Sequence, residues 1–207
     1  MTRKPLQSRS QASLERMLAA ARALMLEAGN EDFTLIDVSK RGNVAIGSIY
    51  LRFESKDALV RAVLLEELAQ IAEDELVMFG TVKAKTSALE DFISNYVDAY
   101  AELLQRHAGM LRLAMLRAVF DPVIAGPGAA SAERIAHNTT ETILEYLTQS
   151  ESPRAIEKAE ATYLIIFSTL ARELRLGFTG HSAHHVDWAF LKRELARMCL
   201  AYLKSDD

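Results

Sequence analysis

The chain has 207 residues, half of them hydrophobic, which is enough to bury a substantial core and too apolar for a disordered protein. A single cysteine, Cys199, excludes an internal disulfide framework, and a net charge of −4 provides no general attraction to nucleic acid. No apolar run approaches the roughly 18 residues of a membrane span and "MTRKPLQSRSQ" has no apolar signal core, so a cytoplasmic location is expected.

Leu14, Leu18, Ala21, Met25 and Ala28 recur at helical spacing and predict a first helix over 11–28, stopped by Gly29-Asn30. Thr34 and Asp37 in "TLID" have the form of a capping box opening a short second helix, and Gly42-Asn43 tolerate the tight turn that ends it. A third helix follows Val44 and ends near Phe53. Ser55 caps a fourth, with Asp57 in its first turn, running to about Phe79 with Leu59, Val63, Leu64, Leu68 and Ile71 as its apolar stripe. Ser87 and Glu90 read as a capping box for a helix to about Gln105, and a shorter helix is expected over 109–120. The Gly/Pro-rich "DPVIAGPGAAS" reads as a loop before a helix over 131–149. Ser152-Pro153 starts a helix to about Leu176, "GFTGHS" is a loop, and Ser182 caps a last helix ending near Leu203. No alternating strand pattern occurs. The expected class is all-α with about nine helices, divided into 1–59 and a larger helical domain over 60–207.

Residues 1–60 hold nine Lys/Arg and seven Asp/Glu, a balance of +2, whereas the remainder has a balance of −6. Such asymmetry suggests two jobs. Three short helices with a turn of about four residues between the second and third form a helix-turn-helix arrangement, whose second helix enters the DNA major groove. Ile49 and Phe53 face inward. Gly47 allows close backbone approach, Ser48 and Tyr50 offer hydroxyl donors to phosphate, and Arg52 and Lys56 offer positive charge. Thr34 sits among the amide donors at the start of the second helix. Ile46 and Leu51 complete the candidate DNA-facing set.

Val44, Gly47, Ser48, Ile49, Tyr50, Phe53, Ser55, Lys56, Asp57 and Leu59, together with "FTLIDVSKRGNV", resemble the tetracycline-repressor (TetR) family of bacterial transcriptional regulators. The resemblance covers residues 33–59. Asn43 stands where the family often has Gly, and Ala45 where it commonly has a capping Ser, a loss worth about 0.5–2 kcal/mol. Ile46 replaces a polar residue, exchanging a guanine-reading group for one that touches a thymine methyl, and Arg52 replaces a usual His. These departures bear on operator sequence.

The resemblance implies a DNA-binding repressor that binds a palindromic operator as a homodimer through the helices at 153–176 and 183–203, released by a small-molecule inducer of apolar or aromatic character, with no cofactor. Ile166 is expected inside the dimer seam. The sequence agrees in one respect: "ATYLIIFSTLA" is apolar nearly all round and must be covered on more than one face. Candidate pocket residues are Tyr96, Tyr100, Arg112, Met115, His137, Tyr163 and Phe167, aromatic or polar groups interrupting apolar stripes. His181, His184 and His185 in "HSAHH" lack a cysteine or acidic partner other than Asp187 and read as a solvated loop, not a metal site. An all-helical enzyme is the alternative, with Glu133 and His137 four apart in "ERIAH" but no paired Glu-x-x-His motif, phosphate loop or nucleophile–base set. A protein-binding adaptor is the other, but it gives no reason for Gly47, Ser48 and Tyr50 together.

Overall fold

The structure, a computed structural model, describes residues 4–147, 153–176 and 187–205, with side chains from Ser10 onward. Among these residues there are eight α-helices and no strand: α1 (Lys4–Ala28), α2 (Leu35–Gly42), α3 (Ile46–Tyr50), α4 (Lys56–Lys85), α5 (Leu89–Ala118), α6 (Pro122–Tyr146), α7 (Pro153–Glu173) and α8 (Trp188–Lys204). The all-α class holds, with eight described helices against about nine expected.

Several boundaries differ for physical reasons. α1 begins at Lys4, seven residues before the expected start at 11, and Pro5 is tolerated in its first turn, where a missing N–H costs nothing. α4 continues past Phe79 because Val82 prolongs the buried stripe and nothing before Thr86 stops it. The Ser87/Glu90 box does not form: α5 is capped by Ala88 without a side-chain bond, and the Glu90 carboxylate pairs with Lys204 of α8 instead. The two helices expected over 87–105 and 109–120 are one. Gly109 does not break it; a side chain there would come within 2.7 Å of Leu26 Cδ2, so this glycine lets α5 pass close to α1.

The expected loop at "DPVIAGPGAAS" is the first half of α6, with Pro127 inside the helix. Asp121 caps it by accepting from the Val123 amide at 3.2 Å, and Pro122 takes the first position. α7 stops at Glu173; Arg175 is left-handed at φ 56°, and the Leu176 amide closes the end on the Ala171 carbonyl at 2.8 Å. α8 starts at Trp188, capped by Asp187 accepting from the Phe190 amide at 2.7 Å. The expected caps Ser152 and Ser182 and the loop "GFTGHS" lie outside the described residues, apart from the helix start at Pro153.

Two buried clusters hold the fold. Met17, Ala21, Met25, Phe33, Val38, Ile49, Phe53, Leu59, Val63 and Leu64 pack together, joined by Met110, Leu113 and Ile124 from α5 and α6. Ile71, Phe79, Phe92, Tyr96, Tyr100, Ile143, Ile166, Leu195 and Leu203 belong to the second. Each fully buried Met, Ile or Leu contributes about 1.5–3 kcal/mol. α4 serves both clusters, changing from one to the other between Leu68 and Ile71, so one rigid helix spans the two cores.

Candidate nucleic-acid interface and ligand cavity

The turn between α2 and α3 is fixed locally. The Thr34 hydroxyl accepts from the Asp37 amide at 3.2 Å, and the Asp37 carboxylate accepts from the Thr34 amide at 2.9 Å, completing the capping box. The Thr34 hydroxyl also donates to the Asp37 carboxylate at 2.6 Å, and this bond, followed by that from the Thr34 amide, holds the Asp37 carboxyl below its ordinary range. Asn43 is left-handed at φ 47°, and the Ser39 hydroxyl donates to the Val44 carbonyl at 2.7 Å. α3 then projects outward with only Ile49 buried. Its cap position, Ala45, makes no side-chain bond, so no cap side chain occupies the amides of its first turn.

Thr34, Ile46, Gly47, Tyr50, Leu51 and Arg52 are exposed, and Ser48 and Lys56 are half-buried, so every DNA-contact candidate is at least partly open to solvent. Leu51 is 88 % exposed and Tyr50 60 %. Neither side chain is used by the protein's own core. A Cβ added at Gly47 meets no atom within 4 Å, so packing does not require glycine there. Arg52 donates to the Ser10 carbonyl at 2.6 Å and to the Ser10 hydroxyl, tying the end of α3 to α1. The Lys56 ammonium lies 4.9 Å from the centre of the Phe33 ring.

Behind this surface is an ionic joint that the sequence did not reveal. Arg117, near the end of α5, is almost fully buried. It donates to Glu31 after α1 at 2.9 Å, to Asp57 in the first turn of α4, and to Asp121 at the start of α6 at 2.8 Å. Arg61 also reaches Asp121, at 2.7 Å. Burial opposes the charge on Arg117, but the bonds to Asp57 and Asp121 outweigh it and raise its pKa. Arg61 and then Arg117 hold the Asp121 carboxyl below the ordinary aspartate value. A second connection runs from Arg22 of α1 to Glu67 of α4 at 2.7 Å, and His107 of α5 sits between Glu67 at 3.1 Å and Asp74 at 2.8 Å.

A cavity of about 360 Å³ lies among α4, α5, α6 and α7. Leu68, Ile71, Leu104, Leu111, Met115 and Phe167 form most of its apolar wall, and Ala125, Gly128, Ala129 and Ala132 of α6 leave the space open. Of the residues proposed from sequence, Tyr100, Met115 and Phe167 line it. Tyr96 lies in the core beside it, stacked between Phe92 and Tyr100 at 5.6 and 5.4 Å, its hydroxyl buried. His137 and Tyr163 line a separate groove between α6 and α7. Arg112 is exposed and donates to the Leu174 carbonyl at 3.0 Å. Glu75 was missed. It is buried, lines the cavity, and accepts from the Ser131 hydroxyl at 2.5 Å. Its signal in the sequence was a carboxylate in register with Leu68 and Ile71 on the stripe of α4.

Among the described residues no group of three or more His, Cys, Asp or Glu is placed to hold a metal ion, and no helix is long and apolar enough to cross a membrane. His181, His184 and His185 lie outside those residues.

An outward recognition helix on a three-helix core, joined to a larger helical body, defines a helix-turn-helix DNA-binding protein. Residues 17–63 match the family profile of bacterial regulatory proteins, tetR family. Solved structures share the fold along nearly the whole chain. A protein from Mesorhizobium loti MAFF303099, assigned to the TetR-family transcriptional regulators, superposes with a TM-score of 0.71 at 16% identity, over 94% of this chain and 96% of that one. A bacterial regulatory protein in the tetR family from Rhodococcus RHA1 gives 0.67 at 18% identity, over 94% and 98%. A transcriptional regulator from Aquifex aeolicus VF5 gives 0.58 at 20% identity, over 91% and 98%. No curated protein matches the chain in sequence. Residues 17–63 therefore resemble the DNA-binding domain of the tetR family, and the chain as a whole shares the fold of these solved structures.

Proposed function

We propose that this protein is a cytoplasmic repressor that binds a palindromic operator as a homodimer and is released by a small molecule. In this reading residues 1–59 contact DNA and residues 60–207 bind ligand and dimerise. The observation that carries it is the surface of α3, where a glycine that packing does not require stands beside an exposed Tyr50 and Leu51 that the core does not use. Tyr50, Ser48 and Lys56 are assigned to phosphates, with Thr34 and its neighbouring amides; Ile46 and Leu51 are assigned to base edges. Arg52 is assigned to the phosphate side as well, once its hold on Ser10 is shared. The apolar cavity supports the ligand half of the proposal, and the exposed apolar side chains Leu164 and Ile165 of α7 and Phe190 and Met198 of α8 support the dimer half.

The test is selection of bound fragments from random duplex DNA by the purified full chain, followed by binding of the enriched site by variants. A palindromic consensus is expected. Tyr50→Phe and Lys56→Ala are expected to weaken binding on every selected sequence alike, with Lys56→Ala lowering the salt slope by about one. Ile46→Ala is expected to relax one position per half-site by roughly 1 kcal/mol or less. Failure to enrich any sequence would overturn the proposal.

A further inference from the structure

Among the described residues, the wall of the cavity between α4 and α6 holds a single charged side chain, Glu75. Its carboxylate is buried and accepts from the Ser131 hydroxyl, and among the described residues it makes no ion pair. The nearest support is indirect: Arg134 donates to the same Ser131 oxygen at 2.9 Å, so a guanidinium stands one hydroxyl away. His107 also faces Glu75 from α5, but both its ring nitrogens are engaged by Glu67 and Asp74. A carboxylate in an apolar wall is costly unless a positive group arrives to pair with it. The rest of the lining favours the same visitor. The Tyr100 and Phe167 rings border the cavity as aromatic partners for a cation, and among the described residues no Lys, Arg or His lines it to receive an anion.

We infer that the cavity binds an amphiphilic cation, an aromatic or aliphatic body against Leu104, Met115 and Phe167 with an ammonium or amidinium head on Glu75. The inference rests on the ligand-responsive reading above and specifies its ligand class. Burial holds the Glu75 carboxyl above its ordinary value of 4.5, opposed by the Ser131 bond, Arg134 and His107. A cation that pairs with the carboxylate favours its charged form and so opposes that rise.

The test uses three probes with one body, 4-phenylbutylamine, 4-phenylbutanol and 4-phenylbutanoate, titrated calorimetrically into the full chain at pH 7. The ammonium is expected to bind roughly tenfold or more tighter than the alcohol, since a charge-assisted hydrogen bond exceeds a neutral one, and the carboxylate weakest. In Glu75→Gln, which keeps a hydrogen-bond acceptor for Ser131, the ammonium and alcohol are expected to bind within about threefold of each other. Wild-type protein supplies a second reading that needs no variant: the preference for amine over alcohol is expected to shrink as pH is lowered toward 4.5 and the carboxylate takes up its proton. Equal binding of amine and alcohol, or an amine preference that survives in Glu75→Gln, overturns the cation assignment and leaves the regulator reading standing. No binding of any probe at millimolar concentration overturns this inference and the ligand half of the reading together, while operator binding, measured separately, stays untouched.

Discussion

Gly42 and Gly47 sit five residues apart in the same motif under different constraints. A Cβ at Gly42 would come within 2.9 Å of the Arg16 carbonyl oxygen, and backbone cannot yield cheaply; Gly42→Ala is expected to destabilise the chain by about 1–3 kcal/mol, read by denaturant unfolding. At Gly47 the added carbon meets nothing. Gly47→Ala is therefore expected to stabilise the helix by roughly 0.5–1 kcal/mol, whereas Gly47→Leu keeps the fold and loses operator binding by steric exclusion of the DNA backbone. Operator affinity unchanged in Gly47→Leu would show that DNA does not approach α3 there. Glu75 yields a prediction of another kind. Its pKa is raised on folding, mainly by burial, so the native state holds the proton more tightly than the unfolded chain does. Its cost to stability is absent below the ordinary value of 4.5 and grows as pH rises through the raised value. Glu75→Gln is expected to be more stable than the wild type at pH 7 by about 1 kcal/mol, or roughly 2–4 °C in a chain of this size, with the gap closing toward pH 4.5. A melting series in which the gap widens on acidification would refute this.

At the scale of elements, α7 and α8 show where single-sequence reading succeeds and where it stops. The run "ATYLIIFSTLA" correctly demanded cover on more than one face, but periodicity does not say which face meets which neighbour. Ile166, expected in the dimer seam, is fully buried in the protomer's own core, whereas Leu164 and Ile165 on the same turn are 60 % and 42 % exposed. Leu164→Asp and Met198→Asp are thus expected to yield folded monomers by light scattering, and Ile166→Asp to unfold the protomer, at a cost above about 4 kcal/mol. A dimer surviving both surface changes would place the interface elsewhere. The same limit explains α6. Asp121-Pro122 carries the cap-then-proline start signal that located α7 at Pro153, yet the glycines and Pro127 behind it outweighed that signal in a local reading. Tertiary contact prevails over propensity there, because Ile124 is fully buried and Asp121 is anchored by two arginines. The recognition motif was legible because its capping box, left-handed turn and inward Ile49 are all local. Glu75 showed only as a carboxylate on an apolar stripe, and the roles of Arg117 and His107 were not legible, since each of the three also depends on a partner more than thirty residues away in the chain.

Across the whole molecule the question is how a ligand in the cavity reaches α3. α4 is one route, since Leu68 and Ile71 line the cavity and Lys56 stands at the DNA-facing end of the same helix. The α5–α6 corner is a second. Ile124 and Ala125 of α6 line the cavity, and one turn earlier Asp121 receives Arg61 and Arg117, which also hold Asp57 and Glu31 beside the helix-turn-helix core. A ligand that moves α6 relative to α4 must strain this joint, and strain there alters where α2 and α3 stand. Only a difference in ligand affinity between the two arrangements can do the work, and such couplings run at about 1–3 kcal/mol. Reciprocity requires that operator DNA weaken binding of an inducing ligand by the same factor as the ligand weakens DNA binding. Arg117→Lys separates the two routes. Lysine keeps the charge, but a single ammonium cannot span the three carboxylates that the guanidinium fork engages. If the corner transmits the signal, the variant is expected to bind operator and cavity ligand singly with near-normal affinity while the ratio of ligand affinities with and without operator falls toward one. That ratio is measured by titrating the ammonium probe into free and operator-bound protein, with melting curves to verify folding. A ratio equal to the wild type's would assign transmission to α4 alone.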